Sequence, residues 1–251
     1  MNQPLIIADS HGVSFSTVFG ELKDAWESDG TAPVAITREG QKVGAYYVLN
    51  SKSSFFVRID TEHGSVIDVH PHLKERIGQE AGSYDGCLLS IDGNVHMAHF
   101  MCQNGTPFDF YEPAVPNFIG ENRQLIPAWA VDKFFMRGRD LLAAKLGALK
   151  NVLARMPIYF VAPPLPIPSQ KQIHDQSEIF NLSVQQLENP YLRLKVFHAY
   201  CRSLESLCTN LEIAYVPPNS DAGDSEGFLL EDYWLGATHA KPDYYSFLTS
   251  L

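Results

Sequence analysis

The chain has 251 residues, 19 basic and 29 acidic, giving a formal net charge of −10, with four cysteines. That length can bury a full core, and α/β domains of this size commonly stand alone, so one domain over residues 1–251 is expected. An acidic chain without a Lys/Arg cluster cannot neutralise a row of phosphates, which sets nucleic acid aside as a partner.

The first residues, MNQPLII, lack a basic start and a cleavable apolar core, and no later run approaches the length of a membrane span; a cytoplasmic location is expected. Leu5 to Gly12 reads as an apolar strand, a polar turn at Asp9-Ser10 and the start of a helix. Phe15, Val18, Phe19, Leu22, Ala25 and Trp26 recur at helical spacing, which predicts a helix over Val13 to Trp26. Its free N–H groups and dipole would favour negative charge near Ser10, although Asp9 or Ser10 could serve simply as a cap.

Pro33 to Thr37, bounded by Gly30 and Gly40, reads as a second strand. Val43 to Asp60, apolar on either side of Asn50 to Ser54, reads as a separate hairpin inserted near the sheet edge. Cys87 to Ile91 is an unbroken apolar run ending in Asp92-Gly93-Asn94, the pattern of a buried parallel strand and a functional turn. From Val95 to Leu125 no period is visible, and an insertion of that length is expected to cover or serve a site, with the aromatic run Phe108 to Tyr111 as a roof or as packing. Val131, Phe135, Leu142, Leu146, Leu149 and Leu153 then mark a long helix over Pro127 to Leu153. Ile158 to Val161 is a further strand, and Pro163, Pro164, Pro166 and Pro168 force an extended loop after it. Tyr191 to Leu211 is helical, Ile213 to Val216 is the last strand, Ser220 to Asp232 a polar loop, and Pro242 opens a terminal helix.

Short apolar strands alternating with helices predict a three-layer α/β/α fold around a parallel sheet, in which ligands sit at the carboxyl ends of the strands. Ser10, Asn94 and His239 all follow strands and converge on that edge. The cysteines show no metal spacing; Cys201 and Cys208, seven apart on a helix, would stand about 10 Å apart, too far to bridge. They read as reduced packing residues. His70-x-His72 and His96-x-x-His99 lack a companion carboxylate or cysteine at zinc spacing, so no metal is expected. His11 adjoins Ser10 but is expected to point away from it.

In order and content, Asp9-Ser10-His11, Gly93-Asn94-Val95-His96 and Thr238-His239-Ala240-Lys241-Pro242-Asp243 resemble the three motif blocks of the SGNH (GDSL-like) hydrolases. The resemblance spans the chain and implies a flavodoxin-like sheet. It also implies that Ser10 is a nucleophile, His239 its general base and Asn94 an oxyanion donor. A further family glycine corresponds to Gly44 or Gly40, and Gly93 and His96 would line the site. Such a serine esterase acts on a small-molecule, lipid or carbohydrate ester through an acyl-serine and needs no cofactor. An acyltransferase onto a sugar hydroxyl uses the same chemistry.

The family places an aspartate three residues before its histidine, where this chain has Gly236. Asp232, Glu231 or a backbone carbonyl could orient His239 instead. A binding protein that kept the fold and lost turnover is the alternative this departure raises.

Overall fold

The computed structural model describes residues 1–22, 32–49, 55–61, 64–92, 95–100, 106–115, 119–176 and 187–251. β1 (Pro4–Ala8) leads through Asp9 and Ser10 into α1 (His11–Ser16), followed by β2 (Glu21–Leu22), β3 (Val34–Arg38), β4 (Gln41–Val48), β5 (Phe56–Thr61), β6 (Gly64–Val69), α2 (Pro71–Glu80) and β7 (Gly86–Ser90). Then come α3 (Val95–Phe100), β8 (Phe108–Asp109), β9 (Gln124–Leu125), α4 (Ala128–Val152), β10 (Ile158–Val161), α5 (Gln170–Gln176), α6 (Pro190–Asn210) and β11 (Ala214–Val216). A small hairpin, β12 (Trp234–Leu235) and β13 (His239–Ala240), precedes a terminal 3₁₀ segment, Pro242–Ser250.

Seven strands form the main sheet in the order β11-β10-β7-β1-β4-β3-β2. From β11 to β4 the pairings are parallel, while β3 and β2 join antiparallel. The three-layer α/β/α class follows, with a mixed sheet where a parallel one was expected. The reason is local: only Glu39 and Gly40, both at positive φ, connect β3 to β4. Two such residues make a hairpin turn, whereas a parallel crossover needs a dozen or more.

β1 is buried along its whole length because its side chains alternate between two cores. Leu5 and Ile7 join Tyr47, Leu89, Leu146 and Leu204 on one face. Ile6 and Ala8 join Phe15, Tyr46, Leu194 and Tyr245 on the other. α4 carries the stripe read from sequence, with Val131, Phe135, Leu142, Leu146 and Leu149 all buried.

Three expectations are corrected. The first helix ends at Ser16, not Trp26. Gly20 lies so close to β3 that a Cβ there would stand 2.5 Å from the Thr37 carbonyl oxygen. Glu21 and Leu22 therefore pair with Thr37 and Ile36 instead of continuing a helix; residues 23–26 lie outside the described residues. The hairpin over 43–60 does not form: β4 is an inner strand beside β1, in register Leu5 to Ala45, and β5 pairs with β6. Ala45 to Val48 is apolar at every position because both faces are covered, which an edge hairpin would not be. Finally, the stretch after Val95 is not wholly irregular, since α3 and the short β8–β9 pair lie within it.

α6 also holds buried charge. Lys195 and Asp109, each 1% exposed, lie 2.7 Å apart, and Lys195 donates in addition to the Phe110 carbonyl. Asp109 accepts from the Phe110 and Gly120 backbone N–H groups. This pair fixes the segment around β8 onto α6. Removing one member leaves the other charged and uncompensated, so Lys195→Met should destabilise the fold by about 3–5 kcal/mol. Denaturant unfolding checks this; a change below about 1 kcal/mol would show that solvent already screens the pair.

Candidate active site

The turn after β1 is held from several directions. The Asp9 N–H donates to the Ser90 carbonyl at 2.9 Å, fixing the turn to β7. The Tyr46 hydroxyl donates to the Asp9 carbonyl at 2.8 Å, fixing it to β4. The Asp9 carboxylate accepts the His11 N–H, and the Asp9 carbonyl accepts the Gly12 N–H. Gly12 is required there, for a Cβ would fall 2.5 Å from Ala8 Cβ and 2.8 Å from the Tyr46 ring. Ser10 is the N-cap of α1, yet its side chain caps nothing.

The hydroxyl faces another group. Ser10 Oγ lies 2.9 Å from His239 Nε2. His239 begins β13, which pairs with β12 so that Leu235 and His239 flank the turn 236–238. Gly236 takes φ +65° in that turn, a conformation costly for most other residues. The turn is tied down by Gln172 of α5, which donates to the Gly236 carbonyl at 3.3 Å, and by the Lys241 N–H, which donates to the Tyr233 carbonyl.

Among the described residues no carboxylate is seen hydrogen-bonded to the imidazole, although Asp9 acts on it through space. His239 Nδ1 lies 3.2 Å from Thr238 Oγ1. With Nε2 accepting from Ser10, the tautomer carries its proton on Nδ1 and donates it to the threonine hydroxyl. Asp232, suggested from sequence as the orienter, makes no hydrogen bond to His239 among the described residues; the group at Nδ1 is Thr238, and the Asp232 carbonyl accepts from Lys241 Nζ. The His11 ring packs against His239 at 4.4 Å between centroids, tilted by 32°. Burial first, and then this second imidazole, push the His239 pKa down to about 4, while the Asp9 carboxylate pulls it the other way. At neutral pH His239 is therefore an uncharged base.

Other predicted site residues are distributed as follows. Gly93 and Asn94 lie outside the described residues; Asp92 before them sits past the carboxyl end of β7, the neighbour of β1. Gly44 lies inside β4 against Pro4 and Ile36, and Gly40 in the β3–β4 turn. Both stand at the amino end of β1, away from Ser10, since parallel register pairs Ala8 with Val48. Neither can reach the serine, and no glycine occurs between Gly44 and Gly64, so the chain past the carboxyl end of β4 offers none. His96 is buried, stacked on Tyr200 at 5.1 Å and packed edge-on to Phe197. His11 and Thr238, which sequence reasoning did not place at the site, both contact His239; their adjacency to Ser10 and His239 was the available signal.

No family model matches the chain, and no curated protein matches it. Among solved structures it is similar to the periplasmic domain of a lipopolysaccharide acetyltransferase from Salmonella ser. Paratyphi A, with 13% identity, a TM-score of 0.47 and coverage of 99% of this chain and 81% of that one. A protein from Streptococcus pneumonia provisionally described as a platelet activating factor gives 12% identity, a TM-score of 0.42 and coverage of 98% and 80%. The aryl esterase of M. smegmatis gives 12% identity, a TM-score of 0.35 and coverage of 100% and 95%. At these scores the likenesses say nothing of activity.

A depressed His239 pKa has a measurable sign. Between its unfolded value near 6.5 and about 4 the unfolded chain binds the proton and the folded chain does not, so this group's contribution to stability is intact above pH 6.5 and is lost as pH falls through that window. Nuclear magnetic resonance of the ring protons should show His239 neutral at pH 5.5. A midpoint at or above 6.5 would contradict the burial that the geometry describes.

Proposed function

We propose that the protein is a serine hydrolase that cleaves an acyl ester through an acyl-serine intermediate. The observation that carries this reading is the 2.9 Å contact between Ser10 Oγ and His239 Nε2, a nucleophile within reach of a neutral base. Nε2 takes the hydroxyl proton as Oγ attacks the acyl carbon. The same proton passes to the departing alcohol when the C–O bond breaks, and a water molecule then repeats the exchange to release the acid.

Oxygen charge in the tetrahedral intermediate needs fixed donors. The His11 and Gly12 N–H groups are already taken by Asp9, leaving the Ser10 N–H without an acceptor among the described residues. That N–H is the first donor of the proposed oxyanion hole; Asn94, assigned from the sequence resemblance, is the second. Ester rather than amide substrates follow from the base. With a hydroxyl at Nδ1 instead of a carboxylate, His239 gains less support when protonated, which disfavours poor leaving groups. Asp9 supplies the nearby negative charge through space.

A fluorophosphonate probe should label the wild type at Ser10, and Ser10→Ala should lose both labelling and esterase activity. Absence of labelling in the folded wild type would overturn the proposal in favour of a binding protein. Thr238→Val should lower kcat on an activated ester by about threefold to tenfold, the worth of one neutral hydrogen bond, with KM little changed. The acid limb of the pH profile should fall near pH 4, because protonation of His239 removes the base. A limb near 6.5 that survives Thr238→Val would show that a different group accepts the serine proton.

A further inference from the structure

Between α4 and α6 a cleft of about 340 Å³ opens, lined by Phe134, Phe135, Arg139, Leu142, Tyr200 and Leu204. Its size lies at the small end of ligand pockets, which run to about 300–1,000 Å³. The walls are aromatic and aliphatic. Phe135, Leu142 and Leu204 belong to the core, whereas Phe134 is 41% exposed and extends the apolar lining outward, its ring stacked edge-on against Phe100.

Charge in this cleft is unbalanced. The Asp92 carboxylate also reaches it, but Lys145 answers that charge at 3.4 Å. Arg139 projects from the middle of α4, half-buried, with no hydrogen bond or ion pair to any described residue. Burial holds its guanidinium below its usual range, only partly offset by Cys208. Arg137, exposed nearby, adds a second positive charge. A partly desolvated guanidinium with no carboxylate partner among the described residues is stabilised by an anion that arrives with its own apolar body.

We propose that this cleft binds an amphipathic carboxylate, its alkyl or aryl body among Phe134, Phe135, Leu142 and Leu204 and its carboxylate on the Arg139 guanidinium. Asp92 and Val95, on either side of the Gly93-Asn94 pair, also line the cleft, but carboxylate binding at Arg139 does not rest on the chemistry of Ser10. A planar carboxylate matches the guanidinium fork with two parallel hydrogen bonds, which an alcohol or an ammonium cannot form.

Calorimetric titration of the full chain with sodium octanoate tests this, with 1-octanol and octyltrimethylammonium as uncharged and cationic controls. Octanoate should bind saturably at one site, and octanol about tenfold or more weakly, the worth of a charge-assisted hydrogen bond. Arg139→Met should bring octanoate down to the level of octanol and leave octanol unchanged. Leu204→Trp, which fills the cleft, should abolish both; if that variant does not fold, octanoate-induced shifts in wild-type resonances should fall on α4 and α6. Ser10→Ala should bind octanoate as the wild type does. Equal affinity for octanoate and octanol, an unchanged preference in Arg139→Met, or loss of binding in Ser10→Ala would overturn the proposal.

Discussion

The way β1 leaves the sheet constrains the rest of the structure. The strand is flanked by parallel neighbours and buried on both faces, so neither its register nor its facing can slip without turning an entire apolar set toward water. Its exit is equally determined. Ser90, Leu49 and Tyr46 claim the backbone groups of Ala8 and Asp9, and Gly12 lets α1 close down on Ala8 and the Tyr46 ring. The serine between these fixed points has no freedom to retreat into a capping role. Its Oγ is presented to whatever the C-terminal hairpin brings.

Much of this was legible because it rests on periodicity. β1, β7, β10, α4 and α6 announce themselves by apolar spacing, and the order of strands and helices is enough for the layer architecture. What could not be read were relationships set across the sheet. Gly44 precedes a strand end in sequence, yet parallel register carries it to the opposite edge from Ser10. Leu22 fits a helical stripe, but pairing with Ile36 wins once Gly20 lies against β3. Carboxylates and backbone carbonyls are the partners a sequence offers for His239, whereas the group at Nδ1 is the hydroxyl of the preceding residue.

α6 illustrates a second blind spot. Cations on an amphipathic helix ordinarily mark its wet face, but Arg193 and Lys195 are each 1% exposed. The reason lies in the proline-rich chain before the helix. Prolines offer carbonyls without N–H groups, and an extended run of them cannot satisfy itself. The Arg193 guanidinium donates to the carbonyls of Ile167, Pro168 and Glu188, closing that deficit. Lys195 does the same for Phe110 while meeting Asp109. One helix thereby fastens two irregular stretches that have little secondary structure of their own.

Ser10 and His239 are 229 positions apart in sequence, and the base arrives on a hairpin with only two residues in each strand. A contact of such span closes nearly the whole chain into a loop, and its entropic cost is met only when the intervening sheet and helices already hold the ends near each other. On the ribosome, the serine emerges before His239 and waits through the synthesis of the four parallel strands that follow it, β4, β7, β10 and β11. The contact between Ser10 and His239 is thus a late event of maturation, and the chemistry proposed for this serine waits on it.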